Sequence, residues 1–107
     1  MAKAEIQAGV CGFTTQAKAE QGENHQVHLQ ITSGCPDIQE LADDLQEVNA
    51  FQEISFRKGV PSILQKSHLH CSHASCPVPA GIIKAVEVAA GLALPRDVTI
   101  VLSGESD

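Results

Sequence analysis

The stretch Val27-His28-Leu29-Gln30-Ile31-Thr32-Ser33-Gly34-Cys35-Pro36-Asp37-Ile38-Gln39-Glu40-Leu41-Ala42 changes its hydrophobic period halfway along. Up to Thr32, apolar and polar residues alternate one for one, the mark of a strand with one buried and one wet face. From Ile38 onward, Ile38, Leu41, Ala42, Leu45 and Val48 follow the i, i+3, i+4 spacing of a helix with one apolar stripe. Pro36 suits a first helical position, where its missing N–H costs nothing. The two periods joined by a short Gly-Cys-Pro connection predict a chain of the α+β class.

Working outward, the N-terminal side holds two more alternating segments. Ala4, Ile6 and Ala8 form one; Phe13, Thr15, Ala17 and Ala19 form the other. Gly9-Val10-Cys11-Gly12 and Gln21-Gly22-Glu23-Asn24 read as the turns between them, so the three strands should run antiparallel.

On the C-terminal side, Asn49 to Lys58 follows neither period. Pro61 then opens a second helix with Ile63, Leu64 and Ser67 on its inner face. A third helix is predicted from Pro77 to about Gly91; it is apolar nearly all round except for Lys84 and Glu87, and so should be mostly buried. Its small residues Gly81, Ala85 and Ala89 are spaced for close packing on the sheet, with a dimer contact as the alternative. After Pro95, the alternation of Val98, Ile100 and Leu102 predicts a fourth strand, and Gly104 to Asp107 are expected to fray.

The expected architecture is one domain over residues 1–107. It has two layers in the order β-β-β-α-α-α-β, with a mostly antiparallel four-stranded sheet and its helices packed on one face.

Composition narrows the function. A chain of 107 residues, 43% hydrophobic, suffices for one core but not two. Aromatics are only 3%, which removes the stacking platforms of single-stranded nucleic-acid binders. A formal charge of −6 with scattered Lys and Arg would repel a duplex, so no nucleic-acid partner is expected. No apolar run reaches spanning length, so no membrane partner is expected either. Met1-Ala2-Lys3-Ala4-Glu5 lacks an apolar leader segment, which points to a cytoplasmic protein. In a reducing compartment, four cysteines point to metal or redox roles ahead of structural disulfides. An ordinary enzyme is disfavoured. No Ser-His-Asp set or phosphate-cradling loop is present, and Glu40, Asp43, Asp44 and Glu47 read as the wet side of the first helix.

The cysteines are Cys11, Cys35, Cys71 and Cys76. With the end of the first strand taken as the top of the sheet, Cys11 lies in the top turn and Cys35 follows the third strand to the same end. Cys71 rejoins them if the second helix climbs back antiparallel to the first, and Cys76 then leads into the third helix. Cys35-Pro36 and Cys76-Pro77 each suggest a cysteine capping a helix N-terminus, where free N–H groups favour thiolate.

The segment His68-Leu69-His70-Cys71-Ser72-His73-Ala74-Ser75-Cys76-Pro77 has a Cys-x4-Cys spacing within the range of zinc chelate loops, and His73 is the candidate extra ligand or supporting donor. His68 and His70 read as surface or helix-end residues, and His25 and His28 as solvated strand residues. The first expectation is a metal site of Cys11, Cys35, Cys71 and Cys76 holding an iron–sulfur cluster or zinc. An iron–sulfur cluster would imply electron transfer or sensing, with a redox partner protein, and zinc a structural role. A thiol-active carrier using Cys76, with Cys71 as resolving thiol, is the second. An interaction domain with cysteines as plain core residues is the third.

The elements Cys11-Gly12-Phe13, Cys35-Pro36 and Cys71 through Cys76-Pro77-Val78-Pro79, leading to Leu94-Pro95, resemble a family of small uncharacterised four-cysteine proteins of anaerobic bacteria and archaea. That resemblance implies an oxygen-sensitive cluster but brings no established activity. More locally, Cys76-Pro77-Val78-Pro79 is similar to the Cys-Pro-x-Pro motif of TusA-type sulfur carriers, which implies a persulfide on Cys76. The motif stands near the C-terminus instead of after a first strand, a departure from that family's order.

Overall fold

The computed structural model describes residues 1–105. In chain order the elements are β1 (Ala2–Gln7), β2 (Thr14–Gln21), β3 (Gln26–Ser33), α1 (Pro36–Asp44), β4 (Glu47–Asn49), α2 (Ala50–Glu53), α3 (Ser62–His70) and α4 (Val78–Ala89). The strands form one antiparallel sheet in the order β1-β2-β3-β4.

The register turns alternation into two faces. Ala4, Ala17 and Ile31 stand abreast, as do Ala2, Ala19 and Leu29, and these rows face the core. Between them, Lys3, Lys18 and Gln30 point to the exposed side. Thr15 is the buried polar member of the inner face, and its Oγ1 lies 2.8 Å from the hydroxyl of Ser33 opposite. The hairpin between β2 and β3 closes on Asn24 and His25, both left-handed, as a type I′ turn requires of its two central residues.

All the helices lie on the alanine-rich face. α4 crosses β1 and β2, α1 crosses β3, and α3 sits against both helices. Ile38, Leu41, Leu45, Ile63, Ile82 and Val86 fill the space between the layers. Gly81 sets the height of α4 over the sheet. A Cβ at this position would lie 2.5 Å from Cδ1 of Ile6, so only glycine admits the approach. The close-packing role expected for Gly81 is therefore realised.

The α+β class and the four-stranded sheet with helices packed against it are as predicted, but the fourth strand comes from elsewhere. Val98–Leu102 forms no strand and its side chains are exposed. The edge position beside β3 is taken by Glu47–Asn49, in register Val27 with Val48. Val48, expected on the first helix, is therefore a strand residue. Leu45 caps α1 and turns the chain back, giving β-β-β-α-β-α-α-α in place of β-β-β-α-α-α-β. The periodless segment from Asn49 contains α2, capped by the Asn49 side chain on the Phe51 N–H at 3.0 Å. His25 lies in a turn, its ring 4.5 Å from that of Phe51 and nearly perpendicular to it, and is not a strand residue. Of the segment expected to fray, Gly104 and Glu105 are exposed without regular structure, and Ser106 and Asp107 lie outside the described residues.

Candidate metal centre

Whether Cys71 joins the other cysteines depends on the direction of α3. A ladder of side-chain contacts along α1 and α3 answers this. Lys66 bonds the Asp44 carbonyl at 2.6 Å at the C-terminal end of α1, and His70 Nε2 lies 3.0 Å from the Asp44 carboxylate. The Ser72 hydroxyl and N–H both donate to Asp37 Oδ2, at 2.6 and 3.3 Å, in the first turn of α1. Rising numbers on α3 meet falling numbers on α1, so α3 climbs. Cys71 arrives at the end of the sheet where α1 begins.

Each cysteine there is placed by a different local device. Cys35 is the N-cap of α1 in extended conformation with Pro36 following, as expected, and its N–H is held by the Ser33 hydroxyl at 3.0 Å. Cys71 is the C-cap of α3, and its N–H donates to the Ser67 carbonyl at 2.8 Å. Cys76 closes the connecting loop through its N–H to the His73 carbonyl at 3.3 Å. Here the sequence expectation needs correction, because Pro77 is the N-cap of α4 and Cys76 stands one residue before it. Pro77 takes that place because its carbonyl already accepts the Gly81 N–H at 3.1 Å.

Cys35, Cys71 and Cys76 are all half-buried against the edge of the core. Burial pushes the Cys71 thiol up to about 11, helped by the negative charges that Cys76, Asp37 and Cys35 would place beside it. Its seat at the negative end of the α3 dipole acts in the same direction. Cys11 is exposed at the tip of the β1–β2 hairpin, in the turn closed by the Gly12 N–H to the Gly9 carbonyl at 2.9 Å. Phe13, two residues on, lies beside the neighbour of Cys35 through the β2–β3 pairing: a Cβ on Gly34 would lie 3.1 Å from its ring. His73 is exposed in the connecting loop, on the side facing Asp37.

Three of the expected residues are thus gathered, with the fourth on an adjacent turn. They are not closed around a point: among the described residues, no group of three or more His, Cys, Asp or Glu is arranged to hold a metal ion. All four thiols are free.

Sequence reasoning overlooked two carboxylates, one at each end of α3. Asp37 ties the Cys71–Cys76 loop to α1 and adds negative charge beside Cys71. Its only sequence signal was its place directly after Cys35-Pro36. Glu53, 1% exposed, accepts the Ile63 N–H at 2.7 Å and the Ser62 hydroxyl at 2.5 Å, capping α3 from outside the helix. Glu53 lies in the segment with no readable period, and nothing local marks it.

The fold and site together define a small α+β protein with a cysteine-bearing end built from the termini of three helices and one hairpin. The chain belongs to a family of unknown function, DUF6951, whose model matches residues 2–102. No curated protein and no solved structure matches it.

Proposed function

We propose that this protein is a small metal-binding module that takes up an iron–sulfur cluster or zinc. Cys35, Cys71 and Cys76 serve as core ligands, Cys11 comes in from the hairpin turn, and His73 is the supporting donor or substitute ligand. One observation carries the reading: three half-buried cysteines from separate elements converge at one end of the core, beside the Asp37 carboxylate. Their ionised forms would repel one another, and a cation relieves that repulsion while displacing the protons. Closure around a metal and loss of the thiol protons are then one event. The ligand set is soft, which suits both zinc and iron–sulfur clusters. A cluster would give an electron-transfer or sensing role with a redox partner protein, and zinc would staple α1, α3 and α4 together. Free thiols of this kind belong in a reducing compartment such as the cytoplasm.

The test is anaerobic purification followed by metal and acid-labile sulfide analysis and an absorption spectrum, repeated for each Cys→Ser variant. Bound metal in the wild type, lost in Cys35→Ser, Cys71→Ser and Cys76→Ser, is the expected result. Folded, metal-free wild-type protein that also fails to take up iron with sulfide, or zinc, would end the metal reading. In that event Cys76, in Cys76-Pro77-Val78-Pro79 at the mouth of α4, becomes the residue to examine as a sulfur carrier.

A further inference from the structure

Residues 92–105 leave the body after Gly91, whose φ of 76° ends α4 in the left-handed conformation. They carry Leu92, Leu94, Val98, Ile100, Val101 and Leu102, all exposed, with Val98 at 63%, Ile100 at 75% and Leu102 at 88%. Within residues 98–105, among the described residues, no backbone hydrogen bond is made. The molecule measures 54 × 27 × 25 Å, a long axis twice the others. Val98-Thr99-Ile100-Val101-Leu102 is five consecutive β-branched or apolar residues, strand sequence that has no partner among the described residues.

The same chain has an unpartnered place for a strand. β1 stands at the outer end of the sheet order, so one side of its six-residue backbone has no neighbour among the described residues. It carries neither proline nor bulge, two of the usual devices for blunting an edge. On its inner face Ala4 and Ile6 are only half-buried. Above them, Val88 lies two helical turns along α4 from Gly81, on the flank that touches Ile6, and is half-buried too. A strand laid beside β1 with Val98, Ile100 and Leu102 turned inward would cover that rim and leave Thr99 and Val101 on the wet face.

We propose that residues 98–102 add as a fifth strand to the β1 edge of a second copy of this chain. The exchange is reciprocal. Each copy offers one segment and one β1 edge, the segment stands off its own body, and two such copies close on a twofold axis with every such segment and every β1 edge paired. This proposal rests on the sheet edge and the C-terminal segment, independently of the cysteines.

The experiment is light scattering coupled to size exclusion on the full chain under reducing conditions, with Ile100→Pro as the key variant. Pro removes a strand N–H and breaks the pairing. The wild type should run at twice the 11.3 kDa of one chain, and Ile100→Pro at the single-chain mass with its helical far-ultraviolet signal retained. In a dimer mixed from isotope-labelled and unlabelled chains, contacts from Ile100 to Ala4 or Ile6 should appear between chains. A monomeric wild type overturns the proposal, as does a dimer that persists in Ile100→Pro. Contacts found only within one chain also overturn it. An Ile100→Pro chain that fails to fold counts against it as well, because the segment is added to a body complete without it.

Discussion

Replacing Gly81 by Ala tests how α4 is seated, because two opposing effects of similar size meet at that residue. The new Cβ would lie 2.5 Å from Cδ1 and 2.6 Å from Cγ1 of Ile6, where ordinary contact begins at 3.4 Å. Cδ1 could swing aside about its own torsion, but Cγ1 moves only if χ1 turns, and χ1 of a β-branched residue is stiff. Either Ile6 leaves its rotamer or α4 lifts, and overpacking of this kind costs about 1–3 kcal/mol. Against it stands helix propensity, which favours Ala over Gly by about 1 kcal/mol in a helix interior. Because both Ile6 atoms are overlapped, the upper part of the overpacking range applies, and Gly81→Ala should destabilise by about 1–2 kcal/mol net.

The sign should invert in an Ile6→Ala background. With Cγ1 and Cδ1 gone the overlap disappears and only the propensity gain of about 1 kcal/mol remains. The coupling between the two sites is then about 2–3 kcal/mol, well above the few tenths expected of independent positions. Urea unfolding followed by circular dichroism on the four proteins, metal-free, measures it. A Gly81→Ala change that stabilises equally in both backgrounds would refute the seating argument, and with it the account of why this helix carries a glycine at that turn.

Glu53→Ala should cost about 2–4 kcal/mol, since it leaves the buried Ile63 N–H unpaired at the start of α3, while Glu53→Gln keeps an acceptor and should cost less; thermal melts decide, and equal losses would deny the capping role. In chelator-treated protein Cys71 should be alkylated more slowly than Cys11 at neutral pH, and Asp37→Asn, which removes a charge but keeps an acceptor for Ser72, should speed Cys71 alone. Peptide mass spectrometry after timed labelling reads this, and equal rates for Cys71 and Cys11 would contradict the environment described. The same thiol makes the folded state hold its proton more tightly than the unfolded chain does. Its contribution to the stability of metal-free protein should be constant below about pH 9 and decline between about 9 and 11, a trend that Cys71→Ser should abolish in pH-dependent urea melts.

Much of the candidate site was legible because it hangs on helix ends. Cys35-Pro36 announced a capped helix, and the antiparallel strands placed Cys11 and Cys35 at one end. The position of Cys71 was conditional on the direction of α3, which depends on contacts between Asp37, Asp44, Lys66, His70 and Ser72, residues 22 to 35 apart in sequence. Cys76 was placed one residue off because two closely spaced prolines leave the exact cap undecided until the Gly81 N–H finds the Pro77 carbonyl.

By itself the sequence determined the periods: alternation in β1, β2 and β3, and apolar stripes in α1, α3 and α4, because side-chain direction within an element follows from backbone geometry alone. It thereby determined the α+β class and which faces meet. Only the tertiary structure decided which segment became the fourth strand. Glu47–Asn49 has too few residues to show a period, but it leaves α1 beside the open edge of β3 and pairs there. Val98–Leu102 has the stronger pattern, yet it follows α4 off the body and meets no edge of its own chain. Local pattern states what a segment is suited to become, whereas pairing requires a partner within reach, and reach is a property of the whole fold.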